Sequence, residues 1–174
     1  MTTTLFGLCL AIVVYTYVGY GLILYLLVFI KRLAIKAKPL ADITDDCLPE
    51  VTLMVCAYNE EDIISEKMSN THSLDYPADR LHLVWVTDGS TDNTNSILFT
   101  YPDVKIVFSP ERRGKSAALK HGIKEVSTEI VMMTDANTML NPGAVREIVR
   151  LMQTPKVGCV SGEKKVMAKS DSDK

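Results

Sequence analysis

The sequence predicts an α/β protein: a mostly parallel sheet with flanking helices, preceded by one transmembrane helix. Three observations carry this reading. From Val51 onward, short apolar runs alternate with helical stretches over short connections. Two of those runs, Leu83-Val84-Trp85-Val86-Thr87-Asp88 and Ile130-Val131-Met132-Met133-Thr134-Asp135, each close on an aspartate where a turn begins. Ahead of them, Leu5 to Ile30 carries no charged residue at all.

Each element follows from its own residues. As a helix, Leu5 to Ile30 would extend about 39 Å, more than the roughly 30 Å of a bilayer's hydrocarbon core, so tilt or overhang is expected. A cleaved signal peptide needs basic residues before a shorter apolar run and a small-residue cleavage site. Here Lys31, Arg32, Lys36 and Lys38 follow the run instead, which predicts an uncleaved anchor in the cytoplasmic membrane. By the positive-inside rule the amino terminus lies outside and the remainder is cytoplasmic. Residues 1–31 are thus expected to form the membrane helix, 32–48 a juxtamembrane linker, 49–168 the α/β domain and 169–174 a polar tail.

Within the domain, Val51 to Ala57 reads as the first strand, followed by a helix from about Glu61 to Thr71. His82 to Thr87 is the second strand, with a short helix near Asp92 to Phe99. Val104 to Phe108 is the third, followed by a helix over Lys115 to Val126. Ile130 to Thr134 is the fourth, and Pro142 to Met152 a helix with proline in its first turn. Val157 to Ser161 is expected as a fifth strand, with an exposed sheet edge after Val160. The layout is Rossmann-like, yet no GxGxxG dinucleotide fingerprint occurs.

Composition narrows the function. A net charge of -2 over 174 residues gives no field suited to nucleic acid, which is excluded as a partner. The cysteines Cys9, Cys47, Cys56 and Cys159 show neither CxxC spacing nor a companion histidine cluster, and read as buried reduced thiols. In open α/β sheets ligands bind beyond the carboxyl ends of the strands. Two aspartates delivered there point to a metal-assisted phosphate or nucleotide site.

Four motifs lie at that rim. Ala57-Tyr58-Asn59-Glu60 joins the first strand to the first helix, where backbone amides favour anions. Asn59 suits either a base or ribose contact or an ordinary helix cap. Asp88-Gly89-Ser90-Thr91-Asp92 offers a carboxylate, a glycine for close approach, and Asp92 to stabilise the next helix. Arg112-Arg113-Gly114-Lys115-Ser116 opens a helix and suits a diphosphate, but Ser109 stands where a P-loop needs glycine. Asp135-Ala136-Asn137 sets two oxygen-bearing side chains two residues apart, as a hard divalent cation wants.

In this order, the motifs resemble the catalytic domain of family 2 glycosyltransferases, which have the A-type glycosyltransferase fold. The matching stretches are Pro49-Glu50-Val51-Thr52 into Ala57-Tyr58-Asn59-Glu60-Glu61, then Thr87-Asp88-Gly89-Ser90-Thr91-Asp92, Arg113-Gly114-Lys115-Ser116-Ala117-Ala118-Leu119 and Asp135-Ala136-Asn137. Val157-Gly158-Cys159-Val160-Ser161-Gly162 is similar to the family's next strand. The resemblance implies that Ala57, Tyr58, Asn59 and Glu60 contact the nucleotide base, that Asp88 holds the nucleoside and that Lys115 lies near the nucleotide. It implies that Asp135 binds a Mg2+ or Mn2+ bridging the donor's diphosphate, with Asn137 in place of the last aspartate of the family's DxD. Thr87 stands where the family more often has an acidic residue.

The implied activity is inverting transfer of a sugar, most readily from a UDP-sugar, in polysaccharide or glycolipid synthesis. Nothing after Ser161 matches the family's catalytic-base motif or its QxxRW, so the base is expected beyond Lys174 and the chain reads as a donor half without its acceptor half. A membrane-anchored nucleotide-sugar-binding module without transferase activity is the alternative. A sugar nucleotidyltransferase would need a glycine-rich basic loop after the first strand, where Ala57-Tyr58-Asn59-Glu60 stands.

Overall fold

The computed structural model describes residues 1–34, 43–163 and 165. The chain falls into two compact units, Met1–Pro39 and Leu40–Lys174. Residues 35–42 of the expected linker and the whole polar tail lie outside the described residues.

The first unit is helical: α1 (Thr2–Val14), a π-helical turn (Tyr15–Gly19) and α2 (Tyr20–Ala34). Thr2–Leu33 is long and apolar enough to cross a membrane, with a mean hydropathy of 2.1. The π turn interrupts what the sequence predicts as a plain helix. The Thr16 hydroxyl donates to the Ile12 carbonyl at 2.8 Å, a back-bond that competes with the regular ladder. Tyr15 lays its ring over Gly19, where an added Cβ would meet Cδ2 at 3.0 Å.

The second unit alternates β1 (Val51–Ala57), α3 (Ile64–His72), β2 (Leu81–Asp88), α4 (Thr94–Leu98), β3 (Val104–Ser109), α5 (Lys115–Gly122), β4 (Ile130–Asp135) and α6 (Ala144–Met152). All pairings are parallel, in the order β3-β2-β1-β4. The two inner strands, β1 and β2, are buried over nearly their whole length, which explains continuous apolar runs in place of alternation. On one face Leu53, Val55, Leu83 and Trp85 pack with Ile64 and Met68 of α3, Leu98 of α4, and Val145 and Val149 of α6. On the other, Met54, Val84, Val86 and Val107 pack with Ala118 of α5. Gly122 lets α5 lie close to the sheet, since a Cβ there would meet Val86 Cγ2 at 2.5 Å and Met54 Sδ at 2.6 Å. Arg146 of α6 pairs with Asp45 at 2.6 Å and Asp75 at 2.9 Å, holding the segment before β1 against the core.

Several expectations need correction. Val157–Ser161 is not a strand: Lys156 takes a left-handed φ of 74°, and a Thr154–Val157 turn redirects the chain. Among the described residues β4 is therefore the sheet edge, not a strand ending at Val160. The helices start later or stop sooner than predicted. α3 begins at Ile64 because the amides of Glu60 and Glu61 are taken by side chains of the neighbouring loop. α6 begins two residues after Pro142, and α5 gives way to a 3-10 turn, Ile123–Glu125. Nor are the thiols uniformly buried: Cys9, Cys47 and Cys159 are exposed, and only Cys56 is partly buried.

Candidate functional site

The register places the ends of the strands at one rim: Ala57 lies beside Thr87, Cys56 beside Asp135, and Asp88 beside Ser109. All four motifs converge there. Two loops, 58–61 after β1 and 88–94 after β2, are laced to each other. Asn59 sits in the left-handed region at φ 53°, and its Oδ1 accepts from the Thr91 amide at 2.8 Å. The Asn59 amide donates to Ser90 Oγ at 3.2 Å and the Glu60 amide to Thr94 Oγ1 at 2.9 Å. Asp92 accepts from the Glu61 amide at 3.1 Å and the Thr94 amide at 3.0 Å. Asn59 is thus neither a helix cap nor a free polar group; it sets the loop geometry.

Asp88 is 6% exposed and works as a latch. Its Oδ1 accepts from the Arg113 amide at 2.9 Å and its Oδ2 from the Gly114 amide at 2.7 Å. The loop ahead of α5 is thereby pulled over the end of β2. Gly89, at φ 69°, makes the crossing possible: a Cβ there would sit 2.5 Å from the Arg112 backbone nitrogen. The same loop carries Arg112 over the Tyr58 ring, 3.8 Å from its centroid, a cation–π contact. A carboxylate has about four acceptor positions, so Asp88 keeps capacity beyond its two backbone bonds.

Across the rim, Lys115 Nζ donates to Asp135 Oδ1 at 2.6 Å. Both side chains are largely solvent-facing, so the pair contributes about 0–1 kcal/mol. The hydrogen bond that Lys115 donates to Asp135, then the carboxylate's charge, raises the Lys115 pKa. Cys56 lies among these groups. Burial pushes its thiol up, Lys115 pulls it down, and Asp135 and Asp88 push it further up. Ala136 is fully buried, so Asp135 and the exposed Asn137 flank an anchored residue. The Thr138 hydroxyl donates to Asn137 Oδ1 at 3.4 Å.

A divalent cation fits this donor set in one way. Among the described residues no three His, Cys, Asp or Glu side chains cluster as a metal cage. One carboxylate with one amide oxygen suits a Mg2+-like ion that keeps its other positions for water and a substrate's phosphates. Asp135 and Asn137 are the residues that would hold it. Thr87 is completely buried, and its hydroxyl has no hydrogen-bond partner among the described residues.

Two contributors escape a reading by motif. Lys67 is completely buried on α3 and donates to the Thr138 carbonyl; Asn70 brackets Leu140. The available signal was periodicity: Ile64, Lys67, Met68 and Thr71 share one buried helix face, and a lysine stands where an apolar residue belongs.

Comparison with known proteins agrees with this geometry. The family described as "Glycosyl transferase family 2" matches residues 52–169. Poly-beta-1,6-N-acetyl-D-glucosamine synthase of Staphylococcus aureus (strain MSSA476) is 34% identical over 143 residues, covering 80% of this chain. The enzyme of the same name from Staphylococcus epidermidis is 31% identical over 146 residues and 82% of the chain. The chain spans about a third of the length of these synthases, 34% and 35% respectively. Among solved structures, the mannosyltransferase PcManGT from Pyrobaculum calidifontis, in complex with GDP-Man and Mn2+, superposes with a TM-score of 0.70 at 34% identity. That match covers 88% of this chain and 46% of PcManGT. S. aureus TarS 1-349, in complex with UDP-GlcNAc, shares the fold at 22% identity and a TM-score of 0.55, over 59% of this chain and 31% of its own. A parallel sheet with its motifs gathered at one rim, matched over nearly all of the α/β unit, has one assignment: the chain belongs to glycosyl transferase family 2.

Proposed function

We propose that this chain is the donor-binding part of a membrane-anchored, inverting glycosyltransferase that uses a UDP-sugar in polysaccharide synthesis. The observation that carries the reading is the Lys115–Asp135 pair at 2.6 Å beside the loop that Asp88 latches. Tyr58 and Arg112 offer a stacked surface for a base, and the Asn59–Thr91 bonds keep that surface in place. Lys115 holds the Asp135 carboxylate when no donor is present. A diphosphate arriving at the rim would draw the ammonium to itself and free Asp135, which with Asn137 would hold Mg2+ or Mn2+. When bound, such an ion neutralises charge on the departing nucleoside diphosphate. In-line attack also needs a base within hydrogen-bond reach of the acceptor hydroxyl. Asp88 is buried at the end of β2 under the loop it latches and Asp135 is assigned to the cation, so neither fills that role.

The anchor reading rests on α1 and α2, with Lys31 and Arg32 in the last turn supporting a cytoplasmic α/β unit. UDP is favoured as the donor nucleotide because the synthases named above make an N-acetylglucosamine polymer, while GDP-mannose serves as the control suggested by PcManGT.

Calorimetry on the full chain in detergent tests the proposal. UDP and UDP-GlcNAc should bind more tightly than GDP-mannose, with affinity rising about tenfold on adding Mn2+. Asp135→Ala should abolish the Mn2+ effect and spare metal-free binding. The 174-residue chain should give no sugar transfer above background. A Mn2+ enhancement that is absent in the parent, or that Asp135→Ala leaves unchanged, would remove the cation role, and turnover dependent on Asp135 would place the base within these residues.

A further inference from the structure

The loop that would hold the cation is clamped from below by a helix whose polar side chains no motif names. After Asp135 the chain turns, with the Thr138 amide donating to the Asp135 carbonyl at 3.2 Å. From α3, the Lys67 ammonium donates to the Thr138 carbonyl. One turn along, Asn70 takes both backbone groups of Leu140. Its Nδ2 donates to the Leu140 carbonyl at 2.8 Å, and its Oδ1 accepts from the Leu140 amide at 2.8 Å. Residues three apart on a helix lie on one side, so the two side chains grip consecutive parts of one loop.

Lys67 has no exposed surface, and it occupies the face of α3 that otherwise packs Ile64, Met68 and Thr71 into the core. An ammonium there is costly, because water is removed from a full charge. A methionine or leucine would fill the same space without that cost. What the lysine adds is a reach from the core to a carbonyl three residues past Asp135. Burial lowers its pKa to about 8, and the Asp135 carboxylate acts in the opposite sense, so the two charges feel each other.

We propose that Lys67 and Asn70 form a positioning clamp that holds the Asp135–Leu140 loop in its cation-competent shape. The cation half of this proposal rests on the site reading above. The clamp half stands on the hydrogen bonds alone. Neither side chain is asked to touch substrate or ion; both act through the backbone of the loop. Residues that orient metal ligands from behind typically matter about 10–100-fold in metal affinity.

The full chain in detergent micelles provides the test, with Mn2+ and UDP as probes. Hydrogen exchange should be read at residues 136–140, and Mn2+ affinity from the free-ion spin-resonance signal in the presence of UDP. In Lys67→Met, exchange in the loop should accelerate at least about tenfold while β1 and β2 amides keep their protection. Mn2+ binding should weaken about tenfold, with metal-free UDP affinity within twofold of the parent. Lys67→Arg, which can still reach the carbonyl, should recover most of both losses. Unchanged loop exchange in a folded Lys67→Met protein overturns the clamp. If that variant does not fold, Asn70→Ala decides: faster loop exchange supports the clamp and unchanged exchange overturns it. A parent protein that binds no Mn2+ while Lys67→Met still loosens the loop rejects the cation reading and keeps the clamp.

Discussion

Lys67 shows at the scale of one residue how a charge in the core leaves a signature in pH. Its ammonium loses its proton at about 8 in the folded chain, against 10.5 ordinarily, because burial disfavours the charged form. Between those values the unfolded chain binds more protons than the folded one, so stability from this group rises with pH across the window. Below about 8 the full cost of the buried charge is present. Other groups act oppositely at the alkaline end: burial raises the Tyr76 pKa, and Asp135 raises that of Lys115. The measurement is therefore a difference. Denaturant melts of the parent and of Lys67→Met, taken from pH 7 to 10.5, should show the parent gaining on the variant as pH rises. A flat difference would mean that the ammonium is not desolvated.

At the scale of elements, the strands were the legible part. Apolar runs such as Val51–Ala57 and Leu81–Asp88 are buried on both faces, so their hydrophobicity is uninterrupted and their ends are punctuated by Asn59 and Asp88. Helix starts were less legible, because side chains distant in sequence set them: Thr94 and Asp92 claim the amides that would have begun a helix at Glu60 or Glu61. Val157–Ser161 looked like a strand by composition, but a strand needs a neighbour, and the left-handed Lys156 turns the chain away. The site's residue types were readable, but their roles less so. Asp88 spends its oxygens on the Arg113 and Gly114 amides, which no motif discloses.

The lacing between the two loops is itself testable. Partial burial pushes the Asp92 carboxyl up, but bonds from Thr94 and from the Glu61 amide together hold it below its usual value. A depressed carboxylate contributes stability above its unfolded pKa, and that contribution is lost as pH falls through the folded one. Asp92→Ala should cost about 1–2 kcal/mol, lowering Tm by roughly 3–10 °C, and the deficit should shrink at acid pH. A Tm unchanged at neutral pH would show that the loops hold without it.

For the whole molecule, the apolar helix and the α/β unit make separate demands. Thr2–Leu33 has an apolar surface suited to lipid, whereas the rim with Asp135 and Lys115 would, under the proposed function, meet a charged, water-soluble nucleotide. The charge asymmetry around Lys31 and Arg32 predicts one orientation. A phosphatase fused after Lys174, active only once exported, should stay silent, while a reporter active only in the cytoplasm should give signal. The reverse pattern would put the rim on the side away from cytosolic donors.

The strand order also dictates a schedule for biogenesis. β1 is central, with β2 on one flank and β4 on the other. The first flank is synthesised soon after β1, but the second pairs Val51 with Ile130, far along the chain. A ribosome adding about 5–20 residues per second needs roughly 4–16 s to cover that distance. Until Ile130 is made, β1 can have a partner on one side only, and its other edge stays unpaired. Elongation speed across residues 89–130 therefore sets how long the newborn chain depends on chaperones, independently of how stable the finished fold is.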